Sequence, residues 1–114
     1  MGVYASIDLG GTKIAGALAT EDGQVLAQRT IATESHAGPA AVLARIAGLV
    51  EDLAAEAGAR PLALGMGVPG LADLEQGVVK FLPNLPTQWR DVPAGAYLAQ
   101  ALGCSVRLLN DVRM

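Results

Sequence analysis

Apolar-rich runs bounded by turn residues, with a period of two clearest over Ala5 to Leu9, predict three strands, Val3 to Leu9, Lys13 to Thr20 and Gln24 to Thr33. Gly10-Gly11-Thr12 and Glu21-Asp22-Gly23 separate them, and Asp-Gly is a strong hairpin signal, so the opening reads as an antiparallel meander. From Gly38 to Ala57 the period lengthens. Val42, Ile46, Leu49, Val50 and Leu53 fall within an arc of about 100° on a helical projection, with Glu51 and Asp52 outside it, which predicts an amphipathic helix closed by Gly58. The period then returns to two. Leu62, Leu64, Met66 and Val68 alternate with Ala63, Gly65 and Gly67, a strand whose second face is nearly bare and leaves room for a helix, a loop or a ligand.

Between Gly70 and Asp91 the pattern is broken by Pro83 and Pro86, and the one short apolar run, Val78 to Leu82, predicts a long loop with a small strand rather than core. Pro93 suits a first helical turn, Ala94, Tyr97, Leu98, Ala101 and Leu102 make one apolar face, and Gly103 suits the stop. Ser105 to Leu109 is a last strand that delivers Asn110 and Asp111 at its C-terminal end, where open α/β sheets place their ligands. The order βββαβαβ predicts an α/β fold, a mixed five-stranded sheet with helices packed on it. No helix follows the last strand before Met114, so an edge or face of the sheet should stand uncovered, as in a domain cut short.

Composition narrows the possibilities. The 114 residues are 52% hydrophobic but only 4% aromatic, enough for one compact domain whose core relies on small aliphatic side chains. The net charge is −3 and the eight Lys and Arg are scattered, which leaves no footprint for a nucleic acid. Cys104 is the single cysteine, so no intrachain disulfide forms; the usage fits a reducing cytoplasm and a buried small hydrophobe. Charged residues or glycines interrupt every apolar stretch before it could span a bilayer, and no leader is evident, so a soluble cytoplasmic protein with no membrane partner is expected. There is no internal repeat and no low-complexity segment.

Three constellations carry candidate chemistry. In Asp8-Leu9-Gly10-Gly11-Thr12-Lys13, paired glycines let the chain reverse with backbone N–H groups pointing into a concavity suited to phosphate oxygens, and Thr12 adds a hydroxyl. Asp8 can hold a hydrated Mg²⁺ that neutralises those phosphates. Taken alone, the same residues serve equally as a hairpin turn with a solvated Asp8 and a solvated or paired Lys13. In Gly65-Met66-Gly67-Val68-Pro69-Gly70, Gly67 and Gly70 let the backbone approach a polar ligand, or form an ordinary strand-to-turn junction. In Asn110-Asp111, an amide orients hydroxyls while the neighbouring carboxylate takes a proton from the attacking one; Asp111 also suits the N-cap of a following helix. In the long loop, Asn84 suits a sugar hydroxyl and Trp89 a packing anchor, while His36 reads as a surface residue.

Taken together, Asp8 to Gly16, Gly67-Val68-Pro69-Gly70, Asn84-Leu85-Pro86 with Trp89, and Val106 to Asp111 resemble, in order and over the whole chain, the ROK family of sugar kinases, repressors and related proteins. The resemblance implies a ribonuclease H-like domain of the actin and hexokinase type. It implies an N-terminal portion, residues 1–114, of a glucokinase-like enzyme that transfers the γ-phosphate of ATP to a sugar hydroxyl, with Asp111 as general base. Gly67, Asn84 and Asn110 would contact the sugar with Asp111; Gly10, Gly11, Thr12 and Lys13 would form the phosphate loop, with Asp8 beside Mg²⁺. The family's second glycine-rich loop, further sugar-binding residues and zinc site would lie beyond Met114, so this stretch alone should not turn over, and a homo-oligomer is implied at full length. The alternatives are a sugar-responsive regulator of the same family, disfavoured by the first strand beginning near Met1, and a non-catalytic orphan half-domain.

Overall fold

The computed structural model describes residues 2–68, 71–73, 75–81 and 92–110. Seven strands and two α-helices follow in the order β1 (Val3–Leu9), β2 (Lys13–Thr20), β3 (Val25–Ala32), α1 (Pro39–Ala57), β4 (Ala63–Val68), β5 (Leu71–Asp73), β6 (Val78–Phe81), α2 (Ala94–Leu102) and β7 (Ser105–Asn110). A short 3-10 turn, Ser35–Ala37, precedes α1 and carries the exposed His36. Five strands form one mixed sheet in the spatial order β3-β2-β1-β4-β7, and β5 pairs with β6 in a separate two-stranded sheet. β1, β2 and β3 are antiparallel neighbours, as the turn signals predict. β4 runs parallel to β1, and β7 parallel to β4. Each parallel step needs a crossover, which α1 and then α2 supply.

Both helices lie on one face of this sheet. The predicted stripe of α1, Val42, Ile46, Leu49, Val50 and Leu53, is buried together with Leu43 and Ala54. It meets Ile7 and Leu9 of β1, Ile14 and Leu18 of β2, and Leu64, Met66 and Val68 of β4 in one continuous apolar cluster that α2 joins through Ala94, Leu98 and Leu102. The strands' alternate residues, among them Tyr4, Ser6, Asp8 and Ala15, point to the opposite face and are exposed. Among the described residues, that face has no helix over it. Helix ends follow the expected chemistry: Gly58 and Gly103 close α1 and α2 with φ of 71° and 69°, donating back to Ala54 and Ala99.

Four expectations shift. The long loop contains a hairpin: Leu71–Asp73 pairs with Val78–Phe81, and Val79 is fully buried within the core. The small strand expected at Val78 is β6, whereas the three residues of β5 carry too few alternations to be seen from period alone. Leu62 lies outside β4 and is 61% exposed, because its N–H bonds to the Val3 carbonyl at the start of the β1 pairing while Pro61 takes the buried position. Pro93 caps α2 rather than entering it, and Tyr97 and Ala101 fall on its exposed side. β3 spans Val25–Ala32, one residue shorter at each end than expected; Thr33 still donates to the Thr12 carbonyl opposite it before the chain turns at Glu34, whose φ is 53°. Cys104 is partly buried beside the core, and burial pushes its thiol above the usual range, with nearby Arg60 opposing the shift. Among the described residues no helix is long and apolar enough to cross a membrane.

Candidate functional site

The three parallel strands β1, β4 and β7 end side by side. Register pairs Asp8 with Gly67 and Gly67 with Leu109, while Val68 pairs with Asn110. Across the other edge Asp8 pairs with Ala15, and Ala15 with Thr30. The outward row at this level of the sheet is therefore Thr30, Ala15, Asp8, Gly67 and Leu109. Asp8 is its one charged member and stands between the two smallest side chains.

That placement keeps the carboxylate open. A Cβ at Gly67 would sit in ordinary contact, 3.8 Å from Asp8 Oδ1, so a side chain there would line the carboxylate that glycine leaves open. Among the described residues, Asp8 has neither an ion-pair partner nor a side-chain hydrogen bond. The next row, Gln28, Ala17, Ser6, Gly65 and Arg107, repeats the arrangement with Ser6 between an alanine and a glycine. Together they form a trough with a cavity of 490 Å³ lined by Ser6, Asp8, Ala15, Ala17, Gln28 and Thr30. A larger cavity, 710 Å³, lies elsewhere, between the β5–β6 turn, α2 and the edge strand β7. It holds neither Asp8 nor the glycine loop, and the chemistry of the strand ends identifies the better candidate.

The loop joining β1 to β2 rises from the same edge. Gly10 N–H donates to the Lys13 carbonyl at 2.9 Å, which closes the reversal, and a Cβ on Gly10 would meet that carbonyl oxygen at 2.8 Å. Gly10 is thus required by close approach. Thr12 and Lys13 are exposed. Among the described residues, the Gly11 and Thr12 N–H groups have no backbone acceptor. Unpaired donors in a tight turn beside a carboxylate are what an anion with an accompanying cation requires. A single exposed carboxylate also fits a Mg²⁺ held largely through its waters, and among the described residues no cluster of three His, Cys, Asp or Glu offers a closed cage instead.

The structure brings together Asp8, Gly67, the Gly10 to Lys13 loop and the backbone of Asn110. Asp111 follows Asn110 directly, but Asp111, Asn84 and Trp89 lie outside the described residues, as do Pro69 and Gly70. One residue missed from sequence is Thr33. It is fully buried, its hydroxyl donates to the Gly10 carbonyl at 2.8 Å and its N–H to the Thr12 carbonyl at 2.8 Å. A lone Thr at the end of a strand gives no such signal; only the fold brings it under the loop.

The comparisons with known proteins agree with this architecture. The ROK family model matches residues 4–114. The glucokinase of Thermotoga maritima is 39% identical over 105 residues, covering 92% of this chain and 32% of the relative. The crystal structure of the ROK hexokinase from Thermus thermophilus superposes with a TM-score of 0.85 at 35% identity, over 96% of this chain and 35% of that one. A ROK family glucokinase from Streptomyces griseus, solved with glucose and AMPPNP, superposes at 0.84 with 30% identity, over 96% of this chain and 33% of that one. The chain therefore spans about a third of the length of the relatives it matches. The mixed five-stranded sheet with its crossover helices is the actin-like ATPase fold of the ROK hexokinases. With a family match over nearly its entire length and this topology, the chain belongs to the ROK family.

Proposed function

We propose that this chain supplies the first phosphate loop and part of the sugar pocket of an ATP-dependent hexose kinase whose polypeptide has the length of its relatives. The observation that carries the reading is the shared strand edge, where the backbones of Asp8, Gly67 and Asn110 end beside a loop whose Gly11 and Thr12 N–H groups have no backbone acceptor among the described residues. The likeness to glucokinases, one of them solved with glucose and AMPPNP, supports it.

Gly11, Thr12 and Lys13 would bind terminal phosphate oxygens of ATP through backbone and side-chain donors. Mg²⁺, when bound beside Asp8, would offset phosphate charge. Gly67 leaves room for the substrate, Asn84 and Asn110 would orient sugar hydroxyls, and Asp111 would accept the proton of the attacking hydroxyl. The sugar oxygen forms a bond to the γ-phosphorus as the bond from that phosphorus to the bridging oxygen of ADP breaks, and the hydroxyl proton passes to Asp111. In such a transfer the protein mainly positions reactants and stabilises charge, so a base, a cation and a phosphate cradle suffice. The remaining nucleotide contacts, any zinc site and a homo-oligomer interface would come from the rest of such a protein, and the cytoplasm is its natural setting.

The test is ATP consumption by the product of the full reading frame with glucose, mannose, fructose, N-acetylglucosamine and N-acetylmannosamine. Sugar-dependent ADP release is expected, and Asp111→Asn should abolish it while sparing sugar binding. A ROK family transcriptional regulator, a homologue of the E. coli MLC protein, has the same fold here with a TM-score of 0.81 at 26% identity. A blank panel together with specific operator binding would move the assignment to that class.

A further inference from the structure

We infer that Thr33 is a positioning residue that aims the donors of the Gly10 to Lys13 loop, an inference that rests on the phosphate-loop reading above. Thr33 is the one buried polar side chain among the described residues, and both of its hydrogen bonds go to carbonyls of this loop, Gly10 and Thr12. A buried hydroxyl aimed at a turn needs a reason, since burial of a polar group is costly unless it is satisfied.

The geometry supplies one. A trans peptide is planar, so its C=O and the next residue's N–H point in opposite directions, and the described residues contain no cis bond. Drawing the Gly10 carbonyl toward Thr33 therefore turns the Gly11 N–H away from the protein. Drawing the Thr12 carbonyl the same way turns the Lys13 N–H toward Gly10. A closed two-residue hairpin would tie the Gly10 carbonyl to the Lys13 N–H. Among the described residues the turn keeps the Gly10 N–H to Lys13 carbonyl bond without that reciprocal one. The Thr33 hydroxyl has taken the carbonyl instead. Without it, the Gly10 carbonyl would be free to accept from the Lys13 N–H, closing the loop and turning the Gly11 N–H with it.

Thr33 is in turn fixed from α1. Arg45 donates through Nε and Nη2 to the Ala32 carbonyl at 3.0 and 2.8 Å, and it lies 3.9 Å from Glu34. Glu34 has a φ of 53°, an uncommon left-handed conformation for a residue with a side chain. This bend lets the chain leave β3 immediately after Thr33 has reached under the loop. A brace thus runs from α1 through Arg45 and the end of β3 to the two loop carbonyls.

The test compares Thr33→Val, which keeps the shape and the backbone N–H, with Thr33→Ser, which keeps the hydroxyl, in the product of the full reading frame. Amide hydrogen exchange and steady-state kinetics are both read. Thr33→Val should slow exchange at Lys13 by about tenfold, because the freed Gly10 carbonyl then accepts from its N–H. It should raise KM for ATP by about tenfold while leaving KM for the sugar within about twofold. Thr33→Ser should restore both. A general loss of Tm with unchanged loop exchange and unchanged KM for ATP would make Thr33 a stability residue only and overturn the inference. Slower Lys13 exchange in a Thr33→Val protein whose wild type shows no saturation by ATP would leave the brace standing and overturn its role in phosphate binding, which separates this failure from that of the brace. Should Thr33→Val not fold, Arg45→Gln loosens the same strand end and must show the same contrast in weaker form; its absence would equally overturn the inference.

Discussion

The two faces of the five-stranded sheet are built from the same strands and differ in almost everything else. The covered face carries Ile7, Leu9, Ile14, Leu18, Leu64, Met66 and Val68 under two helices. The open face carries Tyr4, Ser6, Asp8, Ala15, Ala17, Gly65 and Gly67, mostly small or polar. Because side chains alternate along a strand, each neighbouring pair divides its labour: Met66 is sealed in the core while Gly67 stands beside Asp8. The comparison teaches that stability and chemistry are separated by one residue in sequence and by the thickness of the sheet in space.

Substitutions on the two faces should therefore have opposite signatures. The largest stability effect is expected at Met66, which is fully buried. Met66→Ala should cost about 2–5 kcal/mol in urea unfolding; a cost within error would mean that the covered face is not the core. A smaller loss is expected for Gly16→Ala, because the new Cβ would lie 2.9 Å from Leu49 Cδ2 and 3.0 Å from Ile7 Cδ1. Overpacking of this kind costs about 1–3 kcal/mol, whereas Ala17→Ser, next along the chain on the open face, should stay within about 0.5 kcal/mol. Equal losses at both positions would erase the distinction between the faces.

Gly67→Ala sharpens the comparison from the other side. Its Cβ makes ordinary contact at 3.8 Å with Asp8 Oδ1, so stability should hold, within about 0.5 kcal/mol. Turnover of the full-length product should nonetheless fall by about tenfold or more, since small displacements of positioning groups are costly. Retained turnover would show that the trough is not used.

The smallest effect belongs to the outer surface of α1. Arg60 donates to both carboxylate oxygens of Glu51 at 2.8 and 3.0 Å, and this bond holds the Glu51 carboxyl below its ordinary range. A lowered folded value means that the contribution is present above the unfolded pKa and fades as the pH falls through the folded one. Glu51→Gln should thus lower Tm slightly at neutral pH and not at all in strong acid, and exposure keeps the effect small. A deficit that grew on acidification would contradict this sign.

Much of this separation was legible in the sequence because it rests on period. The alternation of Leu64, Met66 and Val68 with bare glycines predicts one covered and one open face, and the stripe of α1 predicts what covers the first. Turn chemistry placed the Gly10 to Lys13 loop and both helix stops. Of the β5–β6 hairpin only the strand at Val78 was legible; its pairing with β5 is irregular, and the bridge of Val79 to Val92 spans a separation no local pattern reports. Nor was the brace at Thr33, whose partner Gly10 lies twenty-three positions away. Long-range hydrogen bonds of single polar residues leave no periodic trace.

The most direct measurement of the central claim is Asp8→Asn in the full-length product, read in parallel by Tm and by sugar-dependent ADP release. Asp8 lies on the open face without a partner among the described residues, so Tm should be unchanged while turnover falls by about a hundredfold or more, as the proposed role of this carboxylate in holding Mg²⁺ beside the phosphates requires. Near-normal turnover, or a loss of activity that only follows a fall in Tm, would contradict the account.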